Sequence, residues 1–475
     1  MKTVIGRDKE IKELQQRLDS KKAEFIAIYG RRRVGKTYLV TQLLGDKLAF
    51  DMTGVIDGTR DEQLFYFSEA LLKAGYAFSE GRPKNWLEAF SALEHHLEKQ
   101  PAKKQQILFI DELPCLDTPK SGFVKAFDHF WNAFASRRPG LKLIVCGSAT
   151  TWMVGNLINN KGGLHNRITF EMHLSPFSLY EVEQYLKANG FDWSRFLIVQ
   201  AYMIFGGVPY YLSLLNKNES LAQNIDRLFF SKGELQREYD RLYTSLFRNS
   251  EFYMRVIMLL ANTKKGLSRE DIIQKLKSHS GGQLSKVLSD LLNCDFVRCY
   301  YVRKKRGVSK SVIYQLTDFF TLFHYKYGMK AVTDTDYWSK LMHTSEVLAW
   351  QGLAFEKICL THVNQIKKAL GIDRIYTDCY SWRSKESERG AQIDLLIDRA
   401  DNMINLCEIK FLDTPYILGK EELNKILNRK AVFSSELGLK SGINLTMITP
   451  FGLSKNTYSD NIQSVITLDD LFLPG

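Results

Sequence analysis

FIAIYGRRRVGKTYLV, residues 25–40, decides how this chain is read. Five apolar residues, Phe25 to Tyr29, predict a buried strand. The eight that follow, Gly30-Arg31-Arg32-Arg33-Val34-Gly35-Lys36-Thr37, fit G-x-x-x-x-G-K-[ST] and open a helix. Glycines let backbone N–H groups curl around phosphate oxygens where a side chain would block them. Lys36 supplies a point charge for the β- and γ-phosphates, Thr37 a hydroxyl for Mg²⁺, and the helix its positive N-terminal dipole. Alone, such a pattern also occurs as a surface turn with a lysine; a strand before it and a helix after it are what the phosphate-binding mechanism requires.

Working outward, QQILFI (105–110) predicts a second strand ending in Asp111-Glu112. Asp111 can hold Mg²⁺ through water, and Glu112 can polarise an attacking water. The set points to ATP and Mg²⁺. A further strand, LKLIVCG (141–147), ends at Ser148, and the expected topology slots it between the other two. Ser148 then either faces the γ-phosphate or caps the next helix, TWMVGNLI. With KLAF (47–50) and helical patterns at 36–44, 63–74, 86–98 and 121–135, the alternation predicts an α/β fold with a parallel sheet covered on both faces.

The 475 residues allow three or four domains, and a composition of 45% hydrophobic and 25% charged residues lets each bury a core. The reading expects a P-loop core at 1–175, a helical lid at 176–248, a winged helix at 249–332 and a smaller α/β domain at 338–475. No apolar run approaches the ~20 residues that cross a bilayer. The charged N-terminus lacks a secretory h-region, and seven scattered cysteines form neither a disulfide framework nor a zinc motif. These features predict a cytoplasmic protein without a membrane partner.

IGRDKEIKEL, YGRRRVGKTYL, FIDE, CGSAT and GGVPYYL (206–212) together resemble the archaeal-type ATPase family, a branch of the AAA+/STAND-like P-loop ATPases. That resemblance implies a DNA-binding winged helix and a nuclease-like C-terminal domain. It also implies a place for Arg167 as an arginine finger, with an ordinary surface arginine as the alternative, and one for Pro209 near the nucleotide base. Kinship to ring-forming ATPases makes a homo-oligomer conceivable.

The net charge of +12 is concentrated: residues 241–330 carry 17 Lys and Arg against 6 Asp and Glu. A polyanion-binding module concentrates charge in this way. Helices at YMRVIMLLAN (253–262), SREDIIQKLK (capped by Ser268 with Asp271) and QLSKVLSDLLNC precede two strands joined by a basic turn. This is the winged-helix order. Lys286, Arg303, Lys304, Lys305, Arg306 and Lys310 are the expected DNA-phosphate contacts. The bland alternative is a protein-binding module with a solvated hairpin.

Further on, AQIDLLI and INLCEIKF form a hairpin that sets Asp394 and Glu408 on neighbouring strands, with Lys410 on the same face as Glu408. Two carboxylates can hold Mg²⁺ while a lysine activates water, the chemistry of phosphodiester hydrolysis. The form D-x13-E-x-K resembles the PD-(D/E)XK nuclease superfamily, which implies a further metal ligand at Glu356 on the preceding helix and DNA contacts at Lys425 and Lys430. The leading expectation is an ATP-switched enzyme acting on DNA. The competing one is a STAND-like regulatory ATPase that binds DNA or protein without cutting.

Overall fold

The computed structural model describes residues 4–475 except 80, 101–104, 149, 159–165, 231, 248–249, 264–265, 278–280, 305–306, 331–333 and 385–390, and at 281, 302–304 and 307–311 the backbone alone. The chain divides into two compact units. The first comprises residues 1–176, 242–250 and 289–295; the second comprises 177–241, 251–288 and 296–475. Among the described residues no helix is long and apolar enough to cross a membrane.

A five-stranded parallel sheet organises the first unit: β1 (Glu24–Tyr29), β2 (Leu48–Thr53), β3 (Gln106–Asp111), β4 (Leu141–Gly147) and β5 (Phe170–His173), in the order β2-β3-β4-β1-β5. Strand β4 lies between β1 and β3, as the sequence reading expected. Helices α1 (Asp8–Leu18) and α2 (Lys36–Leu44) contribute to one core, and α3 (Arg60–Lys73), α4 (Trp86–Glu98) and α5 (Phe123–His129) to the other. Alternation along β1 shows why: Phe25 and Ala27 enter the second core, Ile26 and Ile28 the first. Central strands β3 and β4 are buried at every position. Edge strand β2 exposes Asp51 and Thr53, and this polar alternation is why its apolar run reads three residues short in the sequence. The helix expected over 121–135 breaks after His129 into a π-helical turn, Phe130–Phe134.

The second unit opens with α6 (Leu179–Ala188), α7 (Arg195–Phe205) and α8 (Pro209–Ser213). Then come α9 (Ser250–Ala261), β6 (Leu267–Ser268), α10 (Arg269–Leu276), α11 (Gly281–Asn293, which from Ser289 on belongs to the first unit), β7 (Val297–Lys304) and β8 (Gly307–Leu316), the strands forming an antiparallel sheet β6-β8-β7. Ser268 and Asp271 form the expected capping box, and Leu284, Val287, Leu288 and Leu291 of α11 are all buried. After α12 (Ser345–Thr361), a mixed sheet is built from β9 (Thr377–Arg383), β10 (Gln392–Arg399), β11 (Met403–Ile409), β12 (Gly442–Ile448) and β13 (Ser464–Ile466). Strands β9 to β11 run antiparallel; β11 to β12 is parallel, which requires the crossover helix α13 (Lys420–Leu437). Trp382, Leu396, Leu406, Phe433 and Met447 fill the core between sheet and helix.

His362 ties the start of α6 to the end of α12. Its Nε2 accepts from Leu179 N at 3.0 Å while Nδ1 donates to Ile358 O at 2.9 Å. Burial pushes its pKa from 6.5 to about 4 against the opposing Ile358 bond. The unfolded chain therefore takes up this proton before the folded one does. Stability from this group is complete above pH 6.5 and is lost on acidification toward pH 4, by about 3 kcal/mol in all. Melting curves across that range should show the loss, and His362→Gln should flatten the slope by about one proton. An unchanged slope would sink the assignment.

Candidate nucleotide site and a second acidic site

The first site lies at the carboxyl ends of β1, β3 and β4, where open α/β sheets present their crevice. Gly30 adopts φ +145°, and a Cβ there would sit 2.3 Å from Leu174 O, so only glycine lets the loop leave β1 this closely. Arg33 and Gly35 are left-handed, at φ 73° and 89°, which curls the loop before α2 begins. Arg7, from IGRDKE, pins it from behind: Nη2 donates to Val34 O at 3.2 Å and to Ser175 O at 2.7 Å. Val34 is itself in the core, Arg31 is buried, and Arg32 and Arg33 are half-buried.

Lys36 is 5% exposed, and its Nζ donates to Gly30 O (2.9 Å), Arg31 O (3.0 Å) and Ser148 Oγ (3.1 Å). Burial lowers its pKa, with nearby Glu112 opposing. Ser148 in turn donates its hydroxyl to Glu112 Oε1 at 2.5 Å and its N–H to Glu112 Oε2 at 3.1 Å. The Ser148 side chain is thus committed to Lys36 and Glu112, and the capping alternative is not the arrangement seen. Thr37 Oγ1 donates to Asp111 Oδ2 at 2.5 Å, and Asp111 Oδ1 accepts from Glu112 N at 3.0 Å. Burial raises the Asp111 pKa, which the Thr37 bond opposes. A hydroxyl and a carboxylate oxygen converging in this way suit a hard cation that keeps several waters.

Arg167 is exposed, just before β5. Phe170 pairs with Ile26, so Arg167 lies at the amino ends of the strands, and from there it does not serve the phosphate loop of its own chain. Pro209 opens α8 in the second unit, its missing N–H harmless at a helix start.

The second site is in the second unit. Leu395 pairs with Cys407, and the same register sets Asp394 opposite Glu408. Glu356 on α12 senses both charges: burial first, then Asp394, raises its pKa to about 7. The Glu408 carboxylate is held by Lys410 Nζ at 3.0 Å and by Arg429 Nη1. Lys410 also bonds Glu422 at 2.9 Å. Two cations thus meet the Glu408 carboxylate. Among the described residues no three His, Cys, Asp or Glu side chains gather as metal ligands. Glu356 and Asp394 line one cleft.

Among the basic residues, Lys286 is exposed on α11. Lys305 and Arg306, and the side chains of Arg303, Lys304 and Lys310, lie outside the described residues. Lys425 is exposed beside Glu422, and Lys430 donates one of its three hydrogens to Ile443 O at 3.1 Å. Arg7, Arg429 and Glu422 escaped the sequence reading. Only Arg7 carried a signal, its place in the quoted N-terminal motif.

Residues 5–215 match the family described as an ATPase domain predominantly from Archaea. An uncharacterised protein of Methanocaldococcus jannaschii is 23% identical over 416 residues, 86% of this chain and 88% of that one. Among solved structures, the chain is similar to a Walker-type ATPase of Pyrococcus abyssi (TM-score 0.48, 16% identity, 68% of this chain and 96% of that one). It is also similar to the ORC2 protein of Aeropyrum pernix in ADPNP–ADP complexes (TM-score 0.42, 13% identity, 76% of this chain and 98% of that one).

Proposed function

We propose that the first unit binds and hydrolyses ATP and that the second unit applies this switch to DNA. The observation that carries the ATPase reading is the linked set Lys36–Ser148–Glu112 beside Thr37–Asp111. Bound Mg²⁺, held by Thr37 and through water by Asp111, would neutralise charge on the β- and γ-phosphates. Lys36 leaves its two loop carbonyls for phosphate oxygens. Glu112 accepts a proton from the water that attacks the γ-phosphorus, the bond to the β–γ bridging oxygen breaks, and ADP and phosphate leave. Ser148 touches both Lys36 and Glu112, so it links phosphate occupancy to the base. Ser148→Ala should cut turnover about tenfold with ATP affinity nearly unchanged, as read from steady-state hydrolysis and titration. Equal turnover would remove Ser148 from the mechanism. Arg167, as an arginine finger, would act on a neighbouring copy in a homo-oligomer.

The order of α9 to β8, with the cationic excess of residues 241–330, supports a winged helix that grips DNA. Its affinity should fall steeply with added salt through counterion release. Salt-insensitive binding of duplex DNA would exclude a phosphate grip. The mixed sheet with Asp394 and Glu356 supports a Mg²⁺-dependent nuclease, in which water attacks a phosphodiester phosphorus and a P–O ester bond breaks. Cleavage that requires Mg²⁺ or Mn²⁺ and vanishes in Asp394→Ala would establish it. One observation favours the second reading, a regulatory ATPase that binds without cutting: Glu408 is already paired with Lys410 and Arg429. Absence of cleavage with either metal decides for that reading.

A further inference from the structure

A cleft of about 510 Å³ in the second unit is lined by Arg298 and Gln315 of the three-stranded sheet, Glu356 and Lys357 of α12, and Gln392 and Asp394 of β10. We propose that Arg298 and Lys357 clamp a nucleic-acid phosphate in this cleft, so that the basic hairpin and the acidic sheet build one substrate site. The proposal rests on the DNA reading of the second unit and names a substrate contact within it.

Arg298 is held by its neck. Its Nε donates to Gln315 Oε1 at 2.8 Å, and the guanidinium lies over the Tyr300 ring at 5.1 Å. Among the described residues its two terminal nitrogens bond nothing. Lys357 donates to Leu316 O at 3.2 Å, which leaves two of its three hydrogens. Opposite them, Gln392 Nε2 holds Asp394 Oδ1 at 2.5 Å. Two cations and two carboxylates thus share a small, half-buried space. Yet among the described residues no ion pair within 4.0 Å joins any of the four.

Charges removed from water without a partner are costly, and a protein normally lets them pair. A ligand that brings its own anion to the guanidinium and ammonium would satisfy the basic side. A planar guanidinium with both terminal nitrogens unspent matches the paired oxygens of a phosphate. The cationic excess of residues 241–330, which include the Arg298 hairpin, argues for a polyanion over an isolated phosphate.

The test uses the full chain in Ca²⁺, a fluorescein-labelled DNA duplex read by anisotropy at several salt concentrations, and inorganic phosphate as a second probe. Arg298→Ala and Lys357→Met should each weaken duplex binding about tenfold and reduce the salt slope by about one. Arg298→Lys, which keeps the charge but loses the fork, should recover the slope and only part of the affinity, and covers the case in which the alanine variant does not fold. Duplex affinity and slope unchanged in Arg298→Lys and Lys357→Met would overturn the proposal. So would phosphate binding that is lost while duplex binding is not, since the cleft would then serve a free anion. A wild type that never cleaves DNA, with these binding losses intact, removes the nuclease and leaves the clamp. Cleavage by the wild type with binding unmoved removes the clamp and leaves the nuclease.

Discussion

Replacing Lys36 with alanine is expected to abolish ATP turnover and to weaken ATP binding by roughly 10²- to 10⁴-fold. The size follows from what the side chain does. A buried ammonium exchanges two loop carbonyls for phosphate oxygens. Each charge-assisted bond to a phosphate is worth about 1.5–3 kcal/mol, and two are lost. No neighbour substitutes. Arg31 is buried beside Asp295, whose carboxyl is raised by burial and lowered in part by His173 and Arg31. The measurement is a pair of assays, steady-state hydrolysis and calorimetric titration with ATP. Turnover above a tenth of wild type would remove the phosphate loop from the chemistry.

Glu112→Gln separates binding from chemistry. Glutamine keeps the shape and can still accept from Ser148 N, so the loop and Lys36 stay in place. It cannot take a proton from water. Hydrolysis should fall by roughly 10²- to 10⁴-fold, the usual contribution of a positioned base, while ATP binds within about threefold of wild type. The variant should therefore hold ATP rather than ADP after incubation. Wild-type turnover in this variant would mean that another group activates the water.

The nucleotide site was legible in the sequence because its parts are local. Gly30 to Thr37 are contiguous, and Asp111-Glu112 directly follows an apolar strand. The strand order followed from the same alternation, so the place of Ser148 between the other two strands was readable. Its choice of partner was not, since both a cap and a bridge need only a hydroxyl at that position. The second site was half legible. Asp394 and Glu408 follow from hairpin spacing. The cations that hold Glu408 do not: Arg429 and Glu422 arrive on the crossover helix, where no spacing rule relates them to β11. Arg298 was hidden differently. It is one of many positive residues in its stretch, and only the depth of the cleft separates it from a solvated one.

The first unit is assembled from three separate stretches, and this has a consequence for anyone who would cut the gene. Asp295, which meets His173 at 3.3 Å and Ser175 at 3.3 Å, belongs to the last of them. Ser175 is also the residue whose carbonyl Arg7 grips while holding the phosphate loop. A fragment ending at 176, or at the end of the matched family segment at 215, would leave His173 without its acid. Splicing this unit onto a foreign effector must therefore carry residues 242–250 and 289–295 along, and with them the intervening polypeptide.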